Sequence, residues 1–422
     1  MNQTQMYFAG VDWASEKHDV WLTDAGGKRL GMRTFTHSGE GLAQLCAWLT
    51  ATSGAEPGQI HVAIEVPHGP VVEALLERGF NVYAINPKQL DRFRDRFTLA
   101  GAKDDSRDAE TLASSLRTDG RAFRKLAFDE PALVELREYS RLTDELTQEK
   151  NRLANRIRQQ LWRYYPQIAQ LDADLPEWVL DVWEAAPDPA KAARLSKRTA
   201  SSILKKRRIR RIGADEVLGI LRTQPLSVAP GVTDAAKAHI RLLAERLRLV
   251  NKQIKEAHGQ LDRLGAVLAA PAPDSEGEAE PGQPPRQRDA AILDSLPGIA
   301  RIGRATLLAE ATEALRLRDY HALRILCGQA PVTRRSGKSR IVVRRYACNP
   351  RLANALYHWA RVASQIDEKC KAKYAELRKR GHSHARALRS VGDRLLAVAC
   401  AMLESRTFFN PNLSIEITSH SA

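Results

Sequence analysis

The alternation of apolar and polar residues over positions 6–36 predicts three β-strands, Met6–Asp12, His18–Thr23 and Arg29–Thr36, joined by short turns into an antiparallel meander. Helical spacing follows at about 39–52. An apolar strand Ile60–Val66, a helix near 69–79, a strand Asn81–Ile85 and a helix beginning near 88, just after Pro87, come next. A hairpin sheet continued by strand–helix units predicts a mixed sheet with flanking helices, an α/β domain over residues 1–125.

Beyond this domain the period changes. Leu142, Leu146, Leu153, Ile157 and Leu161 recur at helical spacing within 129–165. Leu243, Leu247, Val250, Ile254, Ala257, Leu261 and Leu264 step alternately by four and three. That is the seam of a coiled coil or of an amphipathic helix packed in a bundle. Residues 126–270 therefore read as long helices, with a role in assembly if the seam joins two chains. Residues 271–288, PAPDSEGEAEPGQPPRQR, are too rich in Pro, Gly and Glu to bury a core and predict a disordered linker. Helical segments around 304–316, 350–368 and 384–405 predict a mostly α C-terminal domain over 289–407, followed by a tail, 408–422.

A chain of 422 residues with 43% hydrophobic content can build two or three cores. Its 65 Lys and Arg exceed 50 Asp and Glu, a net charge of +15 that favours polyanionic partners. Two basic clusters stand out. One is Lys205, Lys206, Arg207, Arg208, Arg210 and Arg211; the other includes Arg334, Arg335, Lys338, Arg340, Arg344 and Arg345. Either is a candidate nucleic-acid contact, although such runs are commonly no more than solvated faces. The five cysteines are scattered without a C-x-x-C pair, which argues against a disulfide framework or structural zinc. Met1–Gly10 lacks the features of a signal peptide, and Leu395–Leu403 is about half of the ~20 apolar residues a bilayer span needs. The expectation is a soluble cytoplasmic, nucleoid-associated protein with no membrane partner.

Asp12 and Glu65 each close a run of β-formers, where a carboxylate is costly unless it is paired or metal-bound. Asp105 and Asp108 are three residues apart, on one face of a helix. Hard oxygen ligands in this number suit Mg2+ or Mn2+ and phosphodiester chemistry. Acids at a helix N-terminus also serve simply to complement its dipole, and Asp104 offers a second register for the third acid. In the C-terminal domain, Leu296–Glu310 has the form of a helix-hairpin-helix or of a plain helix–turn–helix connection. Ser336 lies in a polar, glycine-containing, cation-rich stretch, where serine is ordinarily a turn residue.

The stretch Gly10-Val11-Asp12-Trp13-Ala14-Ser15-Glu16-Lys17-His18-Asp19-Val20 resembles the opening motif of the DEDD transposases of insertion-sequence family 110. Further matches follow in order: Ile64-Glu65, Ile85-Asn86-Pro87, Lys103-x-Asp105-x-x-Asp108-Ala109, and a G-x-x-P-x-x-x-x-S-G pattern at Gly328, Pro331, Ser336 and Gly337. Pro331-Val332-Thr333 departs from the proline-then-basic run common in the family.

The resemblance implies a ribonuclease-H-like, Holliday-junction-resolvase-like N-terminal domain whose Asp12, Glu65, Asp105 and Asp108 bind Mg2+ or Mn2+. It implies Ser336 as the nucleophile, with Ser339 the alternative hydroxyl. It also implies donor and target DNA as substrates, a structured guide RNA, and self-assembly from dimer to tetramer. The function it points to is a transposase or site-specific recombinase acting through a serine–DNA intermediate. A hydrolytic structure-specific nuclease and a non-catalytic nucleic-acid-binding protein are the alternatives.

Overall fold

The computed structural model describes residues 6–85, 89–93, 105–270, 288–337 and 339–411, with the backbone alone at 105 and 106. It divides into two compact units, Met1–Asp129 and Glu130–Ala422.

The first unit is built on a six-stranded sheet. Strands β1 (Tyr7–Trp13), β2 (Lys17–Asp24) and β3 (Arg29–Thr36) form the expected meander. Helix α1 (Gly39–Ser53) leads to β4 (Ile60–Ile64), which pairs parallel to β1; α2 (Pro70–Glu77) leads to β5 (Asn81–Ala84), parallel to β4. After α3 (Asp105–Asp119), a two-residue strand β6 (Arg124–Lys125) pairs antiparallel to β5, giving the order β3-β2-β1-β4-β5-β6. Alternation in β1 assigns the two faces. Ala9 and Val11 pack with Leu42, Leu45 and Leu49 of α1 and Val72 and Leu75 of α2, while Phe8 points to the opposite face with Leu112 and Leu116 of α3.

The second unit is helical apart from one hairpin among its described residues. Helix α4 (Pro131–Tyr164) is followed by α5 (Gln167–Leu171), α6 (Glu177–Ala185), α7 (Pro189–Arg194), α8 (Lys197–Lys206) and α9 (Ala214–Leu221). Then come α10 (Val232–Ala269), α11 (Asp289–Asp294), α12 (Arg301–Glu310), α13 (Thr312–Arg316) and α14 (Tyr320–Leu326). The hairpin β7 (Val332–Ser336) and β8 (Ser339–Val343) precedes α15 (Pro350–Ile366), α16 (Glu368–Lys379) and α17 (His384–Ser405).

Helices α4 and α10 lie antiparallel, as the pairs Arg156–His239, Arg246–Glu149 and Arg263–Glu135 require. The heptad seam of α10 is spent within the chain: Leu243, Leu247 and Val250 enter one core with Leu153 and Ile157 of α4 and with the short helices α5–α9. Leu261, Leu264 and Leu268 enter a second core with Leu136, Leu352, Trp359 and Leu395. The linker expected over 271–288 lies outside the described residues, apart from Arg288. No described helix is long and apolar enough to cross a membrane.

One polar cluster ties α4, α12 and α15 together. Half-buried Glu310 accepts from Arg141 Nε at 3.2 Å, Arg351 Nη1 at 2.5 Å and Asn349 Nδ2 at 3.1 Å, and Arg351 Nη2 reaches Ser140 Oγ at 2.9 Å. Burial alone would raise the Glu310 carboxyl, but Arg141 and Arg351 outweigh it and hold it below the ordinary range. A carboxyl depressed on folding contributes stability that is complete at neutral pH and lost as pH falls through the folded value. Glu310→Ala leaves Arg141 with Glu138 and Arg351 with Ser140 and Asp144, and is expected to cost roughly 2 kcal/mol by denaturant titration at pH 7, a difference that shrinks in acid as the Glu310 carboxyl is protonated.

Candidate active site and nucleic-acid surfaces

Asp12 is the sixth residue of β1, and Glu65 follows the last residue of β4 directly. Val11 pairs with Ile64 across these parallel strands, so carrying the register one residue further sets Glu65 beside Asp12. Both are half-buried.

Helix α3 crosses this face at very close range. A Cβ on Gly10 would stand 2.0 Å from the Ala109 carbonyl oxygen and 2.7 Å from the Ala113 nitrogen, so only glycine allows the helix to lie there. The direction of α3 follows from its other end. Arg117 packs against Gly27 in the β2–β3 turn, near the start of β1, where Tyr7 pairs with Asp24. The helix therefore runs antiparallel to β1, and its first turn, with Asp105 and Asp108, comes to the strand ends that carry Asp12 and Glu65.

Asp108 is half-buried; the side chain of Asp105 and all of Asp104 lie outside the described residues. Among the described residues no three Asp, Glu, His or Cys side chains stand together as a metal-ligand set. The donors at this corner are hard oxygens, which fit a divalent cation in kind.

The corner holds a further acid, inside the opening motif but outside the four acids that the sequence singles out. Asp19 of β2 lies directly opposite Asp12 in the antiparallel register, hence on the same face of the sheet. It is buried and accepts a hydrogen bond from Thr34 Oγ1. Its signal was the hairpin register itself, which pairs position 12 with position 19 across the turn.

The second unit holds Ser336. The expected loop is instead the tip of the β7–β8 hairpin: Ser336 pairs with Ser339 across a two-residue turn whose Gly337 has φ +54°. A strand at 332–336 was missed because it has no buried face. Ser336, Ser339, Arg334, Arg335 and Arg340 are all exposed, and Lys338 lies outside the described residues. Arg334 shares a face with Ser336, whereas Arg335 and Arg340 oppose one another on the other face. At the hairpin base Arg345 Nε donates to the Ala330 carbonyl at 3.1 Å, and Arg344 stacks over Tyr346 at 5.2 Å.

The upstream basic cluster is divided. Arg207 binds Asp181 through Nε at 2.6 Å and Arg211 pairs with Asp172, so both hold the short-helix core together. Lys205, Lys206, Arg208 and Arg210 remain exposed. The turn at 296–300 is packed against the protein itself: a Cβ on Gly298 (φ +78°) would stand 2.6 Å from the Ala363 nitrogen of α15, and Trp359 Nε1 donates to the Pro297 carbonyl at 2.9 Å.

Residues 9–166 match a family profile described as "Transposase", of the DEDD type found in IS110 elements. Residues 290–375 match one described as "Transposase IS116/IS110/IS902 family". A Sinorhizobium fredii protein named "Putative transposase y4uE" is 61% identical over 216 residues, spanning 51% of this chain and 60% of that relative. "Mini-circle putative transposase for IS117" of Streptomyces coelicolor is 32% identical over 413 residues, 96% of this chain and 95% of the relative. The "Insertion element IS116 uncharacterized 44.8 kDa protein" of Streptomyces clavuligerus is 25% identical over 96% of both chains.

Proposed function

This chain belongs to the IS116/IS110/IS902 family of transposases, and on that premise we propose that it is a DNA recombinase that cuts and rejoins DNA through Ser336. The observation that carries the reading is the packing of α3 on Gly10, which gathers the first turn of α3 and the ends of β1 and β4 at one corner of a mixed sheet. That layout, a meander followed by parallel strands with helices on both faces, supports the reading of a ribonuclease-H-like domain.

Asp12, Glu65, Asp105 and Asp108 would hold Mg2+ or Mn2+, and Asp19 would add a fifth carboxylate beside Asp12. Like charges directly opposed across two strands repel, and a cation at this corner would turn that repulsion into attraction. A bound divalent ion supplies neutralisation of the charge that develops on a phosphate under attack.

Ser336 Oγ attacks the phosphorus and gives its proton to solvent, and the scissile P–O bond breaks with its electrons on the departing sugar oxygen, which takes up a proton from solvent to leave as a hydroxyl. One phosphodiester is exchanged for another, so a DNA hydroxyl can reverse the step on a new strand. Exposure at a hairpin tip suits a nucleophile that must reach DNA outside the protein. Arg334 on the same face, with Arg335 and Arg340 behind, would hold the backbone.

Exposed Lys205, Lys206, Arg208 and Arg210 offer a separate surface for a structured guide RNA. Leu242 and Leu249, exposed seven residues apart on α10, offer an apolar stripe for self-assembly.

The test is strand joining by the full-length protein on DNA carrying element ends, with RNA transcribed from the flanking sequence. Chelation should stop joining, and Mg2+ or Mn2+ should restore it. Asp12→Asn should lower the joining rate about a thousandfold with DNA binding retained. Joining that survives chelation, or an Asp12→Asn variant as fast as the parent, overturns the reading.

A further inference from the structure

At the base of the β7–β8 hairpin lies a pocket of about 150 Å³, bounded by Gln329, by Arg344 just past β8, by Leu356 and Tyr357 of α15, and by Leu388 and Arg389 of α17. Its floor is apolar and its walls are cationic. Arg344 and Arg389 line it, and Arg386 stands one turn before Arg389 on the same helix. The three guanidiniums are close enough to depress the proton affinity of Arg389, through burial first and then through the charges of Arg344 and Arg386.

Among the described residues none of the three has an acidic partner. The nearby carboxylate on α17, Asp393, is already taken by Arg324, whose Nε and Nη2 lie 2.7 and 2.9 Å from its two oxygens, and by Tyr320. Other half-buried arginines of this unit have an acceptor of their own: Arg207 and Arg248 bind Asp181, Arg318 binds Asp289, and Arg345 binds the Ala330 carbonyl. Arg344 and Arg386 are exposed and Arg389 is half-buried, so three like charges converge on one part-buried pocket, and an anion held there relieves their repulsion. The pocket also opens beside the N-terminus of the 22-residue helix α17, whose dipole favours negative charge.

We infer that Arg344, Arg386 and Arg389 form a binding pocket for one backbone phosphate of the DNA strand that Ser336 engages. Arginine forks grip phosphate oxygens in pairs, and the stacking of Arg344 on Tyr346 presets one fork. DNA is favoured over RNA by continuity: the pocket and Ser336 are the two ends of one hairpin. Five residues at ~3.4 Å each separate them by roughly 17 Å, about five nucleotides of rise along one strand. The pocket would then fix where along the strand the serine attacks.

This inference rests on the reading of the chain as a DNA-joining enzyme, but its test does not need catalysis. Full-length protein in the Ser336→Ala background is titrated with element-end duplex at several salt concentrations, with Arg389→Gln, the exposed Arg386→Gln and Arg389→Lys compared. Each Gln variant is expected to bind about tenfold more weakly, and the slope of log affinity against log salt should fall by about 0.9, one phosphate contact. Arg389→Lys should recover most of the slope.

Replacing single phosphates by neutral methylphosphonates should find one position, a few nucleotides from the cleavage site, that weakens the parent but not Arg389→Gln. Unchanged slopes in both Gln variants overturn the inference. So does the absence of any such position, or a loss confined to RNA binding. Failure of Ser336 as the nucleophile would appear in joining assays and leave these binding results as they stand.

Discussion

Replacing Ser336 by alanine is expected to abolish the covalent protein–DNA species on denaturing gels and to lower strand joining by at least about ten-thousandfold, while the fold is unchanged. The second half follows from placement. Ser336 is exposed at a hairpin tip, so removing its hydroxyl leaves no buried partner unsatisfied and should alter stability by less than about 0.5 kcal/mol. Ser339 provides the control. It pairs with Ser336 across the turn, and Ser339→Ala should keep the covalent species at parental yield. Cleavage by Ser336→Ala without a covalent species would mean that water is the nucleophile and that the enzyme hydrolyses DNA.

Gly10→Val should be the most damaging substitution in the first unit. Even one added carbon meets the Ala109 carbonyl oxygen at 2.0 Å and the Ala113 nitrogen at 2.7 Å, and these are backbone atoms that no rotamer can move aside. The whole helix must lift, at a cost of roughly 3 kcal/mol or more. Because α3 brings Asp105 and Asp108 to the corner that holds Asp12, the same shift should cut joining at least a hundredfold even below the melting temperature. Thermal unfolding and single-turnover joining check the two effects. Gly39→Ala is the comparison: nothing lies within 4 Å of its added carbon, and stability should change by less than about 0.5 kcal/mol.

These two positions differ in how far a linear reading could reach them. The β1–β3 meander was legible to within a residue because half-buried strands impose period two, and Asp12 and Glu65 stood out as charges at the ends of apolar runs. Gly10 gave no such sign, since a glycine in a strand does not announce what lies against it. Asp19 needed the pairing register, not merely the strands. The β7–β8 hairpin was hidden because both of its faces meet solvent, so no alternation marks it.

The α10 seam is legible in the sequence as an apolar stripe in need of a partner. Periodicity could not name α4, about a hundred residues earlier, as that partner. Likewise Arg207 and Arg211 stood in a run of cations until folding brought Asp181 and Asp172 to them from 26 and 39 residues away.

The antiparallel pairing of α4 and α10, held by Arg156 and His239, turns the end of one helix back toward the start of the other, and the short helices α5–α9 lie in the chain between them. Everything between is folded on a core distinct from the one at the far end, where Leu136 and Leu264 meet the C-terminal helices. Such a segment is a cassette. Its length and sequence can vary, as long as Leu153, Ile157, Leu161, Leu243 and Leu247 keep an apolar cover, while the interior around Leu136 and Leu264 stays as it is.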